Sequence, residues 1–429
     1  MTATELAPAF FAAAVVIRLT CRAVGAVAAR FGQPPVVGEM IAGVVLGPSV
    51  FGLLAPAASR AIFPPELRPI LYVAGQVGLV ALMFHAGYEF RTYAGRGLAG
   101  VAVTVSSAGV LLPLLLGVGL TLAVHGHVPI FVPKVSPGVT AAFVGVALSI
   151  TAFPMLARII TERQLSGSRF GVLALASGAA DDAVAWILLA GVLSVAKGDA
   201  GKITLAVGGS VVFLGLLLTG GRRVLGWVVE RPGISARTRL LGTMAVLFAG
   251  AWFTDVIGLY AVFGAFCIGM VMPRSEEAER VVASTQAFTQ VVFVPMFFAF
   301  SGLNTRFNVF ADGAVLAFGA VCVLLAVLGK FGGCWAAARW RGEPSPVALR
   351  VGALMNARGL MQLIALNIGL AAGLVSTELF AALVLVALVT TVMTVPVLNL
   401  LERREAAAQT AGDPLAAAAA PVPSASTAP

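Results

Sequence analysis

Two adjacent aspartates, Asp181 and Asp182, stand in the middle of a long apolar stretch. The surrounding run is Ser177-Gly-Ala-Ala-Asp-Asp-Ala-Val-Ala-Trp186, and an aspartate side chain is too short to reach water from such a place. Removal from water and a neighbouring like charge both favour the neutral form of a carboxyl group. Such a group can hold a proton near neutral pH and exchange it for a cation. Neighbours on a helix point about 100° apart, so the two carboxylates need not share one ligand.

Two basic residues also lie inside apolar stretches. Lys330 is in Leu328-Gly-Lys-Phe-Gly-Gly-Cys334, and Arg358 is in Asn356-Ala-Arg-Gly-Leu-Met-Gln362. A charge near the centre of a membrane helix costs at least about 2.5 kcal/mol, so such residues are functional candidates. We take both as candidates for compensating the charge of the aspartates. For Lys330 the alternative is an ammonium group that extends to the cytoplasmic surface.

The composition determines which elements can position these residues. The chain has 429 residues, of which 59% are hydrophobic and 11% are charged, whereas soluble domains have about 25% charged residues. Lipid must therefore be its solvent, and backbone groups that face lipid must be satisfied internally. The apolar runs are roughly 20 residues long, as in membrane helices, and lack the alternation of a membrane β-barrel. This predicts an all-α polytopic membrane protein.

Thirteen transmembrane helices are predicted in residues 1–400, which form the membrane transporter domain. Residues 401–429 are rich in Ala and Pro and are predicted to be a disordered cytoplasmic tail. The predicted spans lie near 8–29, 35–54, 69–88, 98–124, 138–160, 170–196, 203–220, 238–257, 259–272, 287–303, 313–338, 347–374 and 377–400.

Lys and Arg residues are distributed unevenly between the loops. Nineteen of the 28 follow odd-numbered spans, and six follow even-numbered spans. Because cytoplasmic loops carry the excess of Lys and Arg, the N-terminus is predicted outside and the C-terminus in the cytoplasm. The net charge of +9 is not gathered on one basic face, so no nucleic-acid partner is expected.

The four cysteines, Cys21, Cys267, Cys322 and Cys334, all fall inside apolar segments without metal-ligand spacing. We predict that they are buried hydrophobic residues. No cofactor is expected, and no metal other than a transported monovalent cation.

Two spans contain signals of interruption. The fifth holds Ser149-Ile-Thr-Ala-Phe-Pro154, where proline removes a backbone hydrogen bond, and the twelfth holds Asn356 to Gln362. Broken spans in matching halves of an inverted repeat are a pointer to a transport site. The two spans are seven apart, and an odd offset inverts topology, so spans 2–6 and 9–13 are predicted to be the repeats. Thr151 and the carbonyl groups at the breaks are candidate cation ligands.

Glu39 is a weaker candidate. It lies in Val37-Gly-Glu-Met-Ile-Ala-Gly43, near the cytoplasmic end of the second span. It is either a structural charge at the membrane surface or an accessory residue of the site.

The sequence resembles the monovalent cation:proton antiporter-2 family, which includes plant cation/proton exchangers and bacterial sodium/proton antiporters. The resemblance rests on an ordered set of stretches that covers nearly the whole membrane part. They are Gly38–Pro48, Ser149–Ile159, Asp181–Leu189, Phe263–Phe266, Phe298–Leu303, Gly329–Gly332 and Met355–Leu360.

The resemblance implies a homodimer in the cell membrane, expected to be a bacterial inner membrane, that exchanges Na⁺ or K⁺ for protons by alternating access. It implies a mobile core, about 98–196 and 313–400, with two broken helices that cross near the carboxylates, and the remaining spans as a dimerisation scaffold. By position, Asp182 matches the aspartate that binds cation and proton in turn, and Lys330 matches a lysine that pairs with its neighbour, Asp181. Relatives often have an acidic residue where this chain has Gln362, so that residue is a possible accessory.

Two other classes of function were compared with exchange. An intramembrane aspartyl protease needs two aspartates that face each other from different helices, and here the aspartates are adjacent, so this class is disfavoured. An efflux carrier for an organic cation or an ion–ionophore complex on the same scaffold stays open as the alternative.

Overall fold

In a computed structural model the protein is a bundle of helices, and the described residues contain no strand. The structure describes residues 3–93, 98–196, 208–209, 211–213, 215–257 and 260–410. Ten helical segments in these residues are long and apolar enough to cross a membrane. The interrupted fifth span, the short ninth span and the partly described seventh complete the predicted set, so a fold of about thirteen transmembrane helices is confirmed.

The helices in the first half of the chain are α1 (Ala3–Arg30), α2 (Pro35–Leu46), α3 (Phe51–Leu54), α4 (Pro56–Ile62), α5 (Arg68–Tyr93), α6 (Ala99–Val124), α7 (Pro137–Ser149), α8 (Phe153–Glu162) and α9 (Arg169–Ala196). Those in the second half are α10 (Arg222–Glu230), α11 (Ala236–Val256), α12 (Ala261–Val271), α13 (Glu276–Phe288), α14 (Val294–Leu303), α15 (Gly313–Val327), α16 (Gly333–Trp340), α17 (Ser345–Met355), α18 (Leu360–Ala371) and α19 (Thr377–Thr410). Single π-helical turns, Thr289–Phe293 and Leu328–Gly332, join α13 to α14 and α15 to α16.

Helix packing follows two groups. In one, α2 packs against α1 and α14, and α5 packs against α12 and α14. In the other, α6 packs against α7, α9 and α16, while α17 packs against α9 and α15 against α19. Within the first group α2 and α14 touch through backbone, because a methyl group on Gly302 would lie 1.8 Å from the carbonyl oxygen of Gly43. Small residues allow this close approach between membrane helices.

Both predicted helix interruptions are present. The first lies between α7 and α8, where Pro154 is in the first turn of α8 and cannot donate a hydrogen bond to the carbonyl of Ile150. The second lies between α17 and α18, where Gly359 adopts φ +148° and ψ −116°, a conformation that L side chains rarely adopt. The breaks meet, since the Ala152 N–H donates to the Ala357 carbonyl at 3.3 Å. The interrupted segment Ser345–Ala371 is surrounded by protein along its most apolar stretch.

Two predicted boundaries were wrong. The seventh span was predicted to end at 220, but a π-helical turn, Leu217–Gly221, runs directly into α10, so Arg222 and Arg223 are helical rather than in a loop. The tail was predicted from 401, but α19 continues to Thr410. Ion pairs to neighbouring helices, Arg350–Glu405 and Arg163–Glu402, hold this extension. The rest of the predicted tail, 411–429, lies outside the described residues, as does much of the predicted span 203–220.

The cysteine prediction is confirmed. All four cysteines have free thiols and are buried.

Candidate ion-binding site

The two aspartates lie on α9 at the point where the two broken helices cross. Asp181 and Asp182 are 0% and 1% exposed. Their side chains diverge, as expected for consecutive helical residues. One carboxylate is held by polar side chains from two other elements, and the other faces the first helix break.

Asp181 is the centre of a buried polar cluster. Its Oδ2 accepts hydrogen bonds from the Lys330 ammonium group and from the Thr151 hydroxyl, each at 2.6 Å. Lys330 also donates to the carbonyl of Ser149 at 2.5 Å. The lysine is fully buried, so its ammonium group does not extend to the membrane surface. It lies in the π-helical turn Leu328–Gly332, where the wider turn alters the direction in which side chains project.

Asp182 has a different environment. Its Oδ1 accepts a hydrogen bond of 3.5 Å from the Phe153 N–H, at the start of α8. Its Oδ2 is buried and has no hydrogen-bond partner among the described residues. The Asp181 Oδ1 also lacks a partner among the described residues, but the charge of Asp181 is compensated by Lys330. An unsatisfied carboxylate oxygen in low dielectric is costly, so the uncompensated Asp182 is where a proton or a cation would be stabilised most.

Arg358 lies in the second break, away from the cluster around Asp181. Its Nη2 donates to the Ala326 carbonyl at 3.1 Å, while its Nε and Nη1 lack partners within the described part of the chain. The Thr391 hydroxyl donates to the Arg358 carbonyl at 2.5 Å. The guanidinium group is fully buried, and among the described residues the ion-pair partner of Asp181 is Lys330 rather than Arg358. Any compensation of the aspartate charges by Arg358 is therefore a long-range electrostatic effect without direct contact.

The two accessory candidates lie outside this cluster. Gln362 is fully buried and donates from Nε2 to the Leu383 carbonyl at 3.0 Å, which ties α18 to α19. Glu39 lines a cavity of about 180 Å³ between α2 and α5 on one side and α8 and α18 on the other. The cavity reaches Met155 and Leu360, which lie just beyond the two breaks.

Sequence reasoning missed three residues near these sites. His85 and Glu89 line the same cavity as Glu39. His85 Nε2 lies 2.9 Å from the Thr285 hydroxyl, and a histidine within an apolar span was an available signal. Gly109 on α6 faces the Lys330–Asp181 pair, and a glycine in a membrane helix carries no comparable signal.

Comparison with known proteins gives a consistent result. The family model for the transmembrane sodium/hydrogen exchanger matches residues 15–400. The Na(+)/H(+) antiporter NhaS4 of Synechocystis is 34% identical over 393 residues, which are 89% of this chain and 94% of that protein. Cation/H(+) antiporter 20 of Arabidopsis thaliana is 33% identical over 85% of this chain, which spans only 45% of the plant protein.

A solved structure shows the same fold. The sodium proton antiporter MjNhaP1 from Methanocaldococcus jannaschii superposes with a TM-score of 0.66 at 15% identity, over 97% of this chain and 99% of that one. With a family model that matches most of its length and relatives above 30% identity, the chain belongs to the sodium/hydrogen exchanger family, a family of transporters.

Proposed function

We propose that the protein is a secondary active antiporter that exchanges a monovalent cation, Na⁺ or K⁺, for protons by alternating access, and that Asp182 binds both. The observation that carries this proposal is the buried, unpartnered Oδ2 of Asp182 beside the paired Asp181 and Lys330. The names of the relatives, a sodium/proton and a cation/proton antiporter, support the same chemistry.

Competition for one carboxylate explains obligatory exchange. Lys330 already compensates Asp181 at 2.6 Å, so Asp182 is the charge that needs a ligand. A buried carboxylate without compensation costs several kcal/mol. Either a proton or a cation removes that cost, and the two cannot occupy the same oxygen together. Only the loaded site can cross the low-dielectric barrier, which couples the two fluxes.

The crossed breaks supply the remaining features of a cation site. Alkali cations are bound by carboxylate, hydroxyl and carbonyl oxygens, and unwound membrane helices expose such carbonyls. At the first break the Thr151 hydroxyl contacts Asp181, and the Ser149 carbonyl accepts from the lysine that pairs with Asp181. The N-terminus of α8 faces Asp182, where its partial positive charge stabilises the unloaded carboxylate.

The cavity lined by Glu39 is the proposed access route to the site. It lies between the two groups of packed helices and ends at the start of α8 and α18. Two glutamates, Glu39 and Glu89, and one arginine, Arg158, line it, and this excess of negative charge would raise the local concentration of cations. The group formed by α6–α9 and α15–α19 would be the moving core, and the other group the scaffold of a homodimer embedded in the lipid bilayer of the cell membrane.

The orientation can be tested with single cysteines. The four native thiols are at most 4% exposed, which leaves them poorly reactive, and Lys134 and Arg237 are both exposed. We expect a membrane-impermeant maleimide to label Lys134→Cys in intact cells, and Arg237→Cys only after the cells are opened, because of the positive-inside distribution. The reverse labelling pattern would contradict an external N-terminus.

Purified protein in liposomes tests the exchange itself. With an interior pH dye, we expect Na⁺ or K⁺ added outside to drive proton release, with one of the two preferred. Li⁺ and choline serve as comparison cations of smaller and larger radius. Proton release with organic cations but with none of the alkali cations would replace this proposal with the efflux carrier.

A further inference from the structure

Gly109 on α6 leaves the space in which the Lys330–Asp181 pair lies. A methyl group in place of its hydrogen would lie 2.6 Å from the Cys334 Sγ, 3.7 Å from the Lys330 Nζ and 3.8 Å from the Asp181 Oδ2. Carbon and sulfur atoms do not approach to 2.6 Å without steep repulsion. A side chain at this position therefore displaces the thiol, whereas the two charged atoms stay at ordinary contact distance from its methyl group.

The thiol of Cys334 has little room to move. The residue is 0% exposed, and its Sγ lies 3.8 Å from the carbonyl of Val105, one turn before Gly109 on α6. Cys334 is also four residues after Lys330, so the two side chains are neighbours on one helical face. Displacement of the thiol is transmitted to the element that carries the lysine.

We propose that Gly109 and Cys334 are positioning residues, which hold the Lys330 ammonium group against Asp181 without binding the transported ion. The proposal rests on the proposed function, since the pair matters for transport only if Asp182 is the ion site. Neither residue offers a charged group. Their contribution is the shape of the wall that α6 and α16 form around the ion pair.

The Gly109→Ala variant is the direct test. We expect a fall of about tenfold or more in cation-driven proton flux, because misplacement of a catalytic contact by an ångström can cost as much as a hundredfold. A cation at Asp182 would repel the ammonium group that Asp181 holds and favour release of the lysine proton, which would make exchange sensitive to the membrane potential. We therefore also expect a weaker dependence of the rate on membrane potential, because a separated pair loses this coupling. A packing defect alone would lower the rate equally at every potential.

Two companion variants isolate the cause. Gly119→Ala adds the same methyl group to the same helix, where no atom lies within 4 Å of it, and should behave as the wild type. Gly109→Ala combined with Cys334→Ala removes the colliding sulfur and should regain most of the flux and the potential dependence. Wild-type behaviour of Gly109→Ala, or a folded double variant as impaired as the single one, would overturn the proposal.

Melting temperatures of the same purified variants test the packing argument separately from transport. We expect a lower melting temperature for Gly109→Ala than for Gly119→Ala, and recovery in the double variant. If Gly109→Ala does not fold, a folded and active double variant supports the proposal, and an unfolded one refutes it. The wild-type protein could show no exchange while the double variant still recovers its melting temperature. That result would contradict the proposed exchange and not the positioning of the pair.

Discussion

Replacement of Asp182 by asparagine is expected to abolish cation-driven proton flux. Asparagine keeps the shape of the side chain and can still accept the 3.5 Å hydrogen bond from Phe153, but it carries no charge and does not take up a proton near neutral pH. Loss of one partner of a buried charge pair costs about 3 kcal/mol or more, which is roughly 100-fold in affinity. Flux should therefore fall to the level of empty liposomes.

The thermal stability of the Asp182→Asn variant should not fall together with its flux. Asparagine removes a buried negative charge with one unpartnered oxygen, so we expect the melting temperature to be unchanged or higher. Asp255→Asn is the matched control, since Asp255 is exposed at the end of α11, and it should exchange normally. Normal cation-dependent flux in Asp182→Asn would reject Asp182 as the binding residue.

Exchange is expected to be electrogenic, with more protons moved than cations. Lys330 is held by Asp181 and the Ser149 carbonyl, and a cation bound at the adjacent Asp182 would repel the ammonium group. The lysine can then release a proton that counts toward exchange. In Asp181→Asn the lysine loses its counter-ion, and an uncompensated buried ammonium group tends to lose its proton permanently. We expect that variant, if active, to exchange one for one.

Liposomes with an imposed membrane potential measure this difference. The potential is set with a K⁺ gradient and valinomycin in Na⁺ buffers, and proton flux is recorded at several values. Wild-type proton release should be faster when the interior is made positive, because that potential assists the net outward movement of charge. The rates of Asp181→Asn should not depend on the potential. Thr151→Val removes the 2.6 Å hydroxyl contact to Asp181 and one proposed cation ligand but leaves the ion pair, so it should lower the rate and retain the dependence. Wild-type rates that ignore the potential would exclude electrogenic exchange.

The sequence predicted those parts of the site that carry a large insertion cost. Asp181, Asp182 and Lys330 were found because charges are rare in apolar spans, and the structure brings all three together at the first break. Pro154 signalled the first interruption because proline lacks a backbone N–H, and the polar run from Asn356 to Gln362 signalled the second. In the structure Gly359 supplies the positive φ that this second break requires. Arg358 was found in the same way, but its distance from the aspartates depends on how α18 sits against α15, which periodicity does not encode.

The features that were missed depend on contacts through space. Residues 401–410 were predicted to belong to the tail because of their composition, but they are helical. Glu402 and Glu405 form ion pairs with arginines from distant parts of the chain. Gly109 and Cys334 are ordinary residues for a membrane helix until their separation across the α6–α16 interface is known. His85 could have been noticed as a histidine within an apolar span, but its position at the cavity needed the structure.

The burial of the most apolar stretch of Ser345–Ala371 inside the protein has a consequence for biogenesis. This segment carries Arg358, Asn356 and Gln362, and it is among the least apolar of the ten long spans. An arginine at the centre of a helix costs about 2.5–3.5 kcal/mol on insertion scales, so the segment is a poor substrate for the translocon by itself. We expect its entry into the membrane to depend on Gly313–Trp340, the strongly apolar helical segment that is synthesised just before it and forms a hairpin with it. In a carrier protein that presents Ser345–Ala371 from the cytoplasmic side in both cases, a glycosylation site after residue 371 should be modified efficiently only when that preceding helix is present.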